Sequence, residues 1–160
     1  SEMCIRDRLS TGSNMEDSRA HLAAVVRAFD AHPDAEVVAA SSLYATAPWG
    51  GVDQPDFFNQ VLIVDAQVTP ADLLAVCQGL ERSAHRVREV RWGPRTLDVD
   101  IVDIEGYTSS DPVLTIPHPR AHEREFVLRP WLEVDPDATL GGEPVREILA
   151  RLAPQGVRKL

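Results

Sequence analysis

The 160-residue sequence contains a single lysine, Lys159, which is next to last in the chain. A Walker A loop needs a lysine after its glycine-rich turn, so this sequence excludes that kind of nucleotide site. A Gly-x-Gly-x-x-Gly dinucleotide fingerprint is also missing. Any phosphate must therefore be bound by arginine, whose guanidinium is planar and permanently charged, by a metal ion or by backbone N–H groups.

Cysteine, basic charge and long apolar runs are also scarce. Cys4 and Cys77 are too few for a disulfide framework or a cysteine-based zinc site, and they predict a reducing cytoplasmic location. The net charge of -9 argues against a nucleic-acid surface, and no apolar run approaches the length of a membrane span. We therefore expect a soluble, monomeric protein with small-molecule partners, and neither nucleic acid nor membrane among them.

The most informative segment has the sequence RWGPRTLDVDI and covers residues 91–101. Successive side chains of a strand point to opposite faces, so Asp98 and Asp100 share one face while Leu97, Val99 and Ile101 share the other. Paired carboxylates suit Mg²⁺, which is usually held by one or two carboxylates and by substrate phosphates, and nearby arginines would clamp the phosphate oxygens. The alternative is a half-buried strand with a solvated acidic face.

The order of predicted elements indicates the fold class. Helical spacing covers residues 17–31, and a second helix is predicted to begin after Thr69, with Pro70 in its first position, and to end near residue 85. Strands are predicted over residues 37–44, 57–68, 97–104 and 113–116, with helical pieces over 119–132 and 144–152. If a further strand precedes the first helix, the element order is β-α-β-β-α-β. This order predicts an α+β fold, a ferredoxin-like α/β sandwich in which helices pack on a mainly antiparallel sheet.

The N-terminus does not fit this pattern. Residues 1–8 carry four charges among few β-forming residues, so they predict a poor strand where a buried one is needed. We interpret residues 1–8 as a non-native or scrambled segment and residues 9–160 as a single domain.

Four motifs in order along the chain resemble the 6-hydroxymethyl-7,8-dihydropterin pyrophosphokinases of folate biosynthesis. They are GSN at residues 12–14, DQPDFFN at 53–59, the segment at 91–101, and IPHPR at 116–120 followed by EREF at 123–126. The resemblance implies transfer of the terminal pyrophosphoryl group of ATP to the pterin hydroxymethyl oxygen, with release of AMP. It also implies two Mg²⁺ ions, bound by Asp98 and Asp100, as cofactors, and ATP as co-substrate.

The same resemblance implies roles for individual residues. The catalytic residues would be Arg86, Arg95, Asp98 and Asp100. ATP would be bound by Gln78, Glu81, Arg88, Trp92, Ile101, Thr115, His118 and Arg124. The pterin would be bound by Thr46, Pro48, Trp49, Phe57, Asn59 and Phe126, with the two phenylalanines stacking on the ring and the Asn59 amide contacting its polar edge.

Other interpretations of these residues stay open. Arg86 and Arg88 could form a solvated helix end, and Glu81 could be a surface residue. Phe57 and Phe126 could be core aromatics. For the whole chain, a nucleotidyltransferase would release pyrophosphate instead of AMP, and a non-catalytic ferredoxin-like binding module would need neither metal nor Asp98 and Asp100.

Overall fold

The structure, a computed structural model, describes residues 4–48, 55–86 and 96–160, apart from the side chain of Arg86. Its elements are β1 (Ile5–Ser13), α1 (Ser18–Ala31), β2 (Ala35–Ala40), β3 (Tyr44–Thr46), β4 (Phe57–Ala66), α2 (Pro70–Arg86), β5 (Leu97–Ile104), β6 (Ser109–Asp111), β7 (Leu114–Ile116), a 3₁₀ helix (Ala121–Glu123), α3 (Glu125–Val134), β8 (Thr139–Leu140), β9 (Glu143–Pro144), α4 (Val145–Arg151) and β10 (Arg158–Lys159).

One antiparallel sheet organises the chain. Its strands lie in the order β10-β3-β4-β1-β5, and β2 pairs with the far half of β4. The order β5-β1-β4-β2 with α1 and α2 as the crossovers is the ferredoxin-like arrangement, so the predicted α+β fold is confirmed. No described helix is both long enough and apolar enough to cross a membrane.

The sheet has a hydrophobic core on each face. Leu62 and Val64 of β4 pack with α1 and α2, whereas Val61 and Ile63 of the same strand pack with α3 and α4. The continuous apolar run of β4 therefore reflects burial on both sides, as expected for a strand at the centre of a sandwich.

The strand predicted over residues 37–44 is wrong, because the chain forms two strands there. Ser41 interrupts it: the Ser41 hydroxyl oxygen accepts a hydrogen bond from the N–H of Val61 at 3.0 Å, and the Ser41 N–H donates to the Val61 carbonyl at 2.9 Å. This exchange lets β2 pair with one half of β4 and β3 with the other.

The prediction that the residues before Leu9 make a poor strand is also wrong for Ile5 and its successors. β1 begins at Ile5 and pairs with both β4 and β5, and its Arg6 forms a salt bridge with Asp65 of β4 at 2.9 Å. Asp7 is nevertheless buried in the layer that contains Val64. The non-native origin of residues 1–8 stays a prediction.

The start of α2 is confirmed in detail. The N–H of Asp72 donates to the Thr69 hydroxyl oxygen at 3.1 Å, and Pro70 occupies the first helical position. The predicted strand at residues 97–104 matches β5. Both later helical regions form as well, the first of them divided into the 3₁₀ helix and α3.

Candidate active site

A cavity of about 840 Å³ opens on the face of the sheet that carries α3. The strand register places Gly12 of β1 directly opposite Asn59 of β4 and Asp98 of β5, so all three positions lie on this face. The lining residues are Ser10, Gly12, Thr46, Ala47, Pro48, Phe57, Asn59, Asp98, Asp100, Arg120, Glu123, Arg124, Phe126, Pro154 and Gln155.

The two carboxylates of β5 enter the cavity together, as the strand alternation predicts. Burial in the cavity wall raises the pKa of Asp98, and the charge of Asp100 raises it further. Burial also raises the pKa of Asp100, which the Arg124 charge opposes. The Thr96 hydroxyl donates to Asp98 Oδ2 at 3.3 Å, and Thr96 N–H donates to Asn14 Oδ1 at 2.9 Å, so the start of β5 is tied to the end of β1.

Arg124 provides positive charge in the cavity wall. Its guanidinium carbon lies 5.5 Å from the centroid of the Phe126 ring, a cation–π distance. Its charge helps to lower the pKa of His118, for which burial is the first cause. Arg124 is therefore placed to meet an anionic substrate group beside the two aspartates.

The wall of the same cavity also combines aromatic surface with two polar side-chain atoms that have no partner among the described residues. Phe57 and Phe126 line it, and so do Thr46 and Asn59. Asn59 is 5% exposed, and within the described part of the chain neither its Oδ1 atom nor the Thr46 hydroxyl oxygen has a hydrogen-bond partner. Buried polar atoms are normally paired, so these two are suited to a ligand with a polar edge.

Several residues predicted to bind ATP lie away from the described cavity wall. Glu81 Oε2 accepts a hydrogen bond from the N–H of Val99 at 2.8 Å, and Ile101 is buried in the core below α1 and α2. Gln78 is exposed on α2, and Thr115 donates to the Asp111 carbonyl at 3.0 Å.

His118 lines a neighbouring cavity of about 610 Å³. Trp49, Arg88, Trp92 and Arg95 lie outside the described residues, and Arg86 is placed only by its backbone at the end of α2.

The cavity is also lined by residues that have no role in the prediction from sequence. Arg120 and Glu123 stand inside a recognised motif, so their position in the chain was a signal. No sequence pattern around Gln155 indicated that it lies at the site. It reaches the cavity because its N–H donates to Glu125 Oε1 at 2.7 Å and its side-chain amide donates to the Glu123 carbonyl at 2.8 Å.

The carboxylate pair fits Mg²⁺ but does not form a complete cage. Among the described residues, no group of three or more His, Cys, Asp or Glu side chains could surround one ion, and neither Asp98 nor Asp100 forms a salt bridge. Protein sites for Mg²⁺ usually supply only one or two carboxylates, and substrate phosphates and water supply the remaining ligands. The donor set therefore suits a metal that arrives with a nucleotide.

Comparison with known proteins agrees with the cavity's chemistry. The family model of 7,8-dihydro-6-hydroxymethylpterin-pyrophosphokinase matches residues 8–136. The chain is 46% identical over 155 residues to the 2-amino-4-hydroxy-6-hydroxymethyldihydropteridine pyrophosphokinase of Methylorubrum extorquens, covering 97% of this chain and 98% of that protein. The corresponding enzyme of Pseudomonas aeruginosa is 38% identical over 159 residues, covering 99% and 98%.

The fold is also found among solved structures. Wild-type HPPK-DHPS of Plasmodium falciparum with pteroate superposes with a TM-score of 0.71 at 13% identity, covering 92% of this chain and 42% of that one. This chain thus spans less than half of that longer protein, and the likeness concerns the fold alone. On the family match and the full-length relatives, the chain belongs to the 7,8-dihydro-6-hydroxymethylpterin-pyrophosphokinase family.

Proposed function

We propose that this cavity is the active site in which the chain carries out its family's reaction. That reaction is the transfer of pyrophosphate from ATP to 6-hydroxymethyl-7,8-dihydropterin in folate biosynthesis, giving AMP and the pterin diphosphate. One observation carries the assignment: Asp98 and Asp100 enter the same cavity as Phe57, Phe126 and the unpartnered amide oxygen of Asn59.

Asp98 and Asp100 are the proposed metal ligands. Two Mg²⁺ ions held by these carboxylates would neutralise the triphosphate while the pterin hydroxyl oxygen attacks the β-phosphorus. The raised pKa of both carboxyl groups supports this role, because two close carboxylates in a cavity wall are stabilised by a cation. Arg124 adds a fixed positive charge on the same side, with which phosphate oxygens can pair.

The pterin is proposed to lie against the aromatic side chains of the cavity. Phe57 and Phe126 offer flat faces for stacking on the ring. Asn59 and Thr46 offer a carbonyl oxygen and a hydroxyl that are already buried and unpaired within the described residues, so they lose little hydration when they bind the pterin's polar edge. In this proposal the hydroxymethyl group faces the two aspartates, which line the same cavity.

The remaining site residues complete the proposal. The resemblance of the motifs, not a described contact, supports phosphate contacts from Arg86, Arg88 and Arg95 and closure of the site by Trp92. It also supports nucleotide contacts from Gln78, Glu81, Ile101, Thr115 and His118, backbone contacts to the pterin around Pro48 and Trp49, and a hydrophobic lining at Trp49. A cytoplasmic, monomeric enzyme remains part of the proposal, and sedimentation of the purified chain would test its oligomeric state.

The reaction can be tested by phosphorus NMR of the products formed from ATP, Mg²⁺ and 6-hydroxymethyl-7,8-dihydropterin. We expect AMP and a pterin diphosphate. Asp98→Asn and Asp100→Asn should each lower kcat by about a hundredfold or more, with a smaller change in KM for the pterin, because the lost charge acts mainly on the transition state.

Asp103→Asn is the matched control, since Asp103 lies on β5 but does not line the cavity. It should keep most of the activity. Release of pyrophosphate in place of AMP would indicate nucleotidyl transfer, and equal losses in all three variants would contradict a specific role for Asp98 and Asp100. Turnover that survives complete removal of divalent metal by EDTA would contradict the metal role.

A further inference from the structure

Gly12 occupies the centre of the site's floor. It lies on β1 between Asn59 of β4 and Asp98 of β5, each directly opposite it in the sheet register. A side chain at this position would point into the cavity, which Gly12 lines. Gly12 is not among the described glycines with positive φ, so the backbone conformation does not require glycine here.

The space in front of Gly12 is instead occupied by the Asn59 side chain. A Cβ atom built at Gly12 would lie 2.5 Å from Asn59 Nδ2 and 3.7 Å from Asn59 Cγ, and the next nearest atom is the Phe58 carbonyl oxygen at 3.8 Å. The first distance is far inside van der Waals contact. Asp98 contributes none of these three nearest atoms, so a methyl group would displace the Asn59 amide before it met the catalytic carboxylates.

We infer that Gly12 is a positioning residue that determines pterin affinity, because its missing side chain leaves the space in which the Asn59 amide lies. This inference rests on the proposed role of Asn59 in binding the pterin. Asn59 is buried and its Oδ1 atom is unpartnered within the described chain, so a displacement of the amide moves the polar group that is proposed to bind the pterin.

The test is a double-mutant cycle between Gly12→Ala and Asn59→Ala, with KM for the pterin, KM for ATP and kcat measured for each variant. Gly12→Ala should raise KM for the pterin by about three- to tenfold, the loss of about one hydrogen bond, and should change kcat and KM for ATP by less than about twofold. In the Asn59→Ala background, where the amide is gone, the same substitution should change KM for the pterin by less than about twofold.

Gly79→Ala is the matched glycine control. It lies within α2, and its nearest neighbour would be Arg82 Nη2 at 3.8 Å, so an added methyl group fits. Its KM for the pterin should equal that of the wild type. If Gly12→Ala fails to fold, relief of the clash predicts that Gly12→Ala/Asn59→Ala folds, and a double variant that also fails would overturn the inference.

Two other results separate this inference from the proposed site. If Asn59→Ala raises KM for the pterin but Gly12→Ala does not, or if Gly12→Ala acts equally in both backgrounds, the positioning role is wrong while the site assignment stands. If Asn59→Ala leaves KM for the pterin unchanged, the assignment of Asn59 fails and the inference fails with it.

Discussion

Asp7 brings a carboxyl group into the layer between the sheet and helices α1 and α2. It is 3% exposed and lies opposite Val64 on one neighbouring strand and Ile104 on the other. Burial raises its pKa to about 7, the negative charges of nearby acidic groups add to the shift, and the Arg8 charge opposes it. A buried strand position of this kind normally carries an apolar side chain, which supports the proposal that residues 1–8 are not native.

The Asp7 carboxyl predicts a pH-dependent loss of stability. Its pKa is higher in the folded chain than the ordinary 3.8, so the folded state favours the protonated form. The contribution of Asp7 to the free energy of unfolding is therefore greatest below the unfolded-state pKa of its carboxyl group, and it is lost as the pH rises through the folded-state pKa. We expect wild-type unfolding free energy to fall by about 3 kcal/mol more than that of Asp7→Asn between about pH 5 and about pH 8.

Urea titrations of both proteins at the two pH values measure this difference. Asp111→Asn is the control, because Asp111 is exposed on β6 and an Asn oxygen can still accept the hydrogen bond from Val113 N–H. It should follow the wild type. Parallel pH dependence of the wild type and Asp7→Asn would show that Asp7 is ionised without penalty.

At the scale of single residues, strand periodicity predicted the shared face of Asp98 and Asp100, whereas the resemblance of the motifs predicted Phe57 and Asn59. Asp98 and Asp100 share a face because their spacing is two, and Phe57 and Asn59 are both at the cavity for the same reason. Gln155 could not be predicted in this way, because hydrogen bonds to Glu125 and Glu123, far away in sequence, bring it to the cavity.

Among the elements, β5 depends on α2 for more than packing. β5 lies at the end of the sheet order, so its outer backbone N–H groups have no strand partner among the described residues. Two side chains of α2 provide the missing acceptors: Glu81 Oε2 accepts a hydrogen bond from Val99 N–H at 2.8 Å, and His85 Nε2 accepts one from Leu97 N–H at 3.4 Å. These contacts flank Asp98, so α2 fixes the strand segment that carries the two carboxylates proposed to bind metal.

Removing the Glu81 acceptor should loosen β5 locally. In Glu81→Ala the Val99 N–H loses its partner, which costs about 1–3 kcal/mol for a buried donor, so its hydrogen exchange should speed up by about tenfold or more. Glu81→Gln keeps a carbonyl oxygen and should retain most of the protection. Exchange measured residue by residue by NMR distinguishes the two variants.

Arg82→Ala serves as the control on the same helix, because Arg82 is exposed and follows Glu81 directly. Equal loss of Val99 protection in Arg82→Ala and Glu81→Ala would mean that α2 stability, not the hydrogen bond, protects β5. Protection unchanged in Glu81→Ala would mean that water replaces the carboxylate without cost.

Helix and strand limits were predicted most accurately where a single local sequence signal determined them. The limits of β5 and the cap of α2 follow from alternation and from Thr69 with Pro70. The division between β2 and β3 could not be predicted, because the side chain of Ser41 replaces a ladder hydrogen bond only when β4 is beside it. The short strand β10 likewise exists only through its pairing with β3.

At the scale of the whole molecule, β4 joins two hydrophobic cores. Leu62 and Val64 belong to the core under α1 and α2, and the intervening Ile63 belongs to the core under α3 and α4. Neither layer of helices can lose its packing without exposing one face of this strand to water. The two cores should therefore unfold together, although they share no side chain.

Substitutions in the two cores test this coupling. Leu22 of α1 is 1% exposed and Leu128 of α3 is 0% exposed, so truncating either to Ala should cost about 2–5 kcal/mol. Each variant should shift the whole urea transition to lower concentration, with coincident curves from far-ultraviolet circular dichroism and tryptophan fluorescence. Val113→Ala, at a position that is 75% exposed, should leave the midpoint almost unchanged. A separate early transition in Leu128→Ala would contradict this coupling, because the α3 layer would then unfold independently of the sheet. The cavity wall that carries Phe126 and Arg124 would in that case be only marginally stable when no substrate is bound.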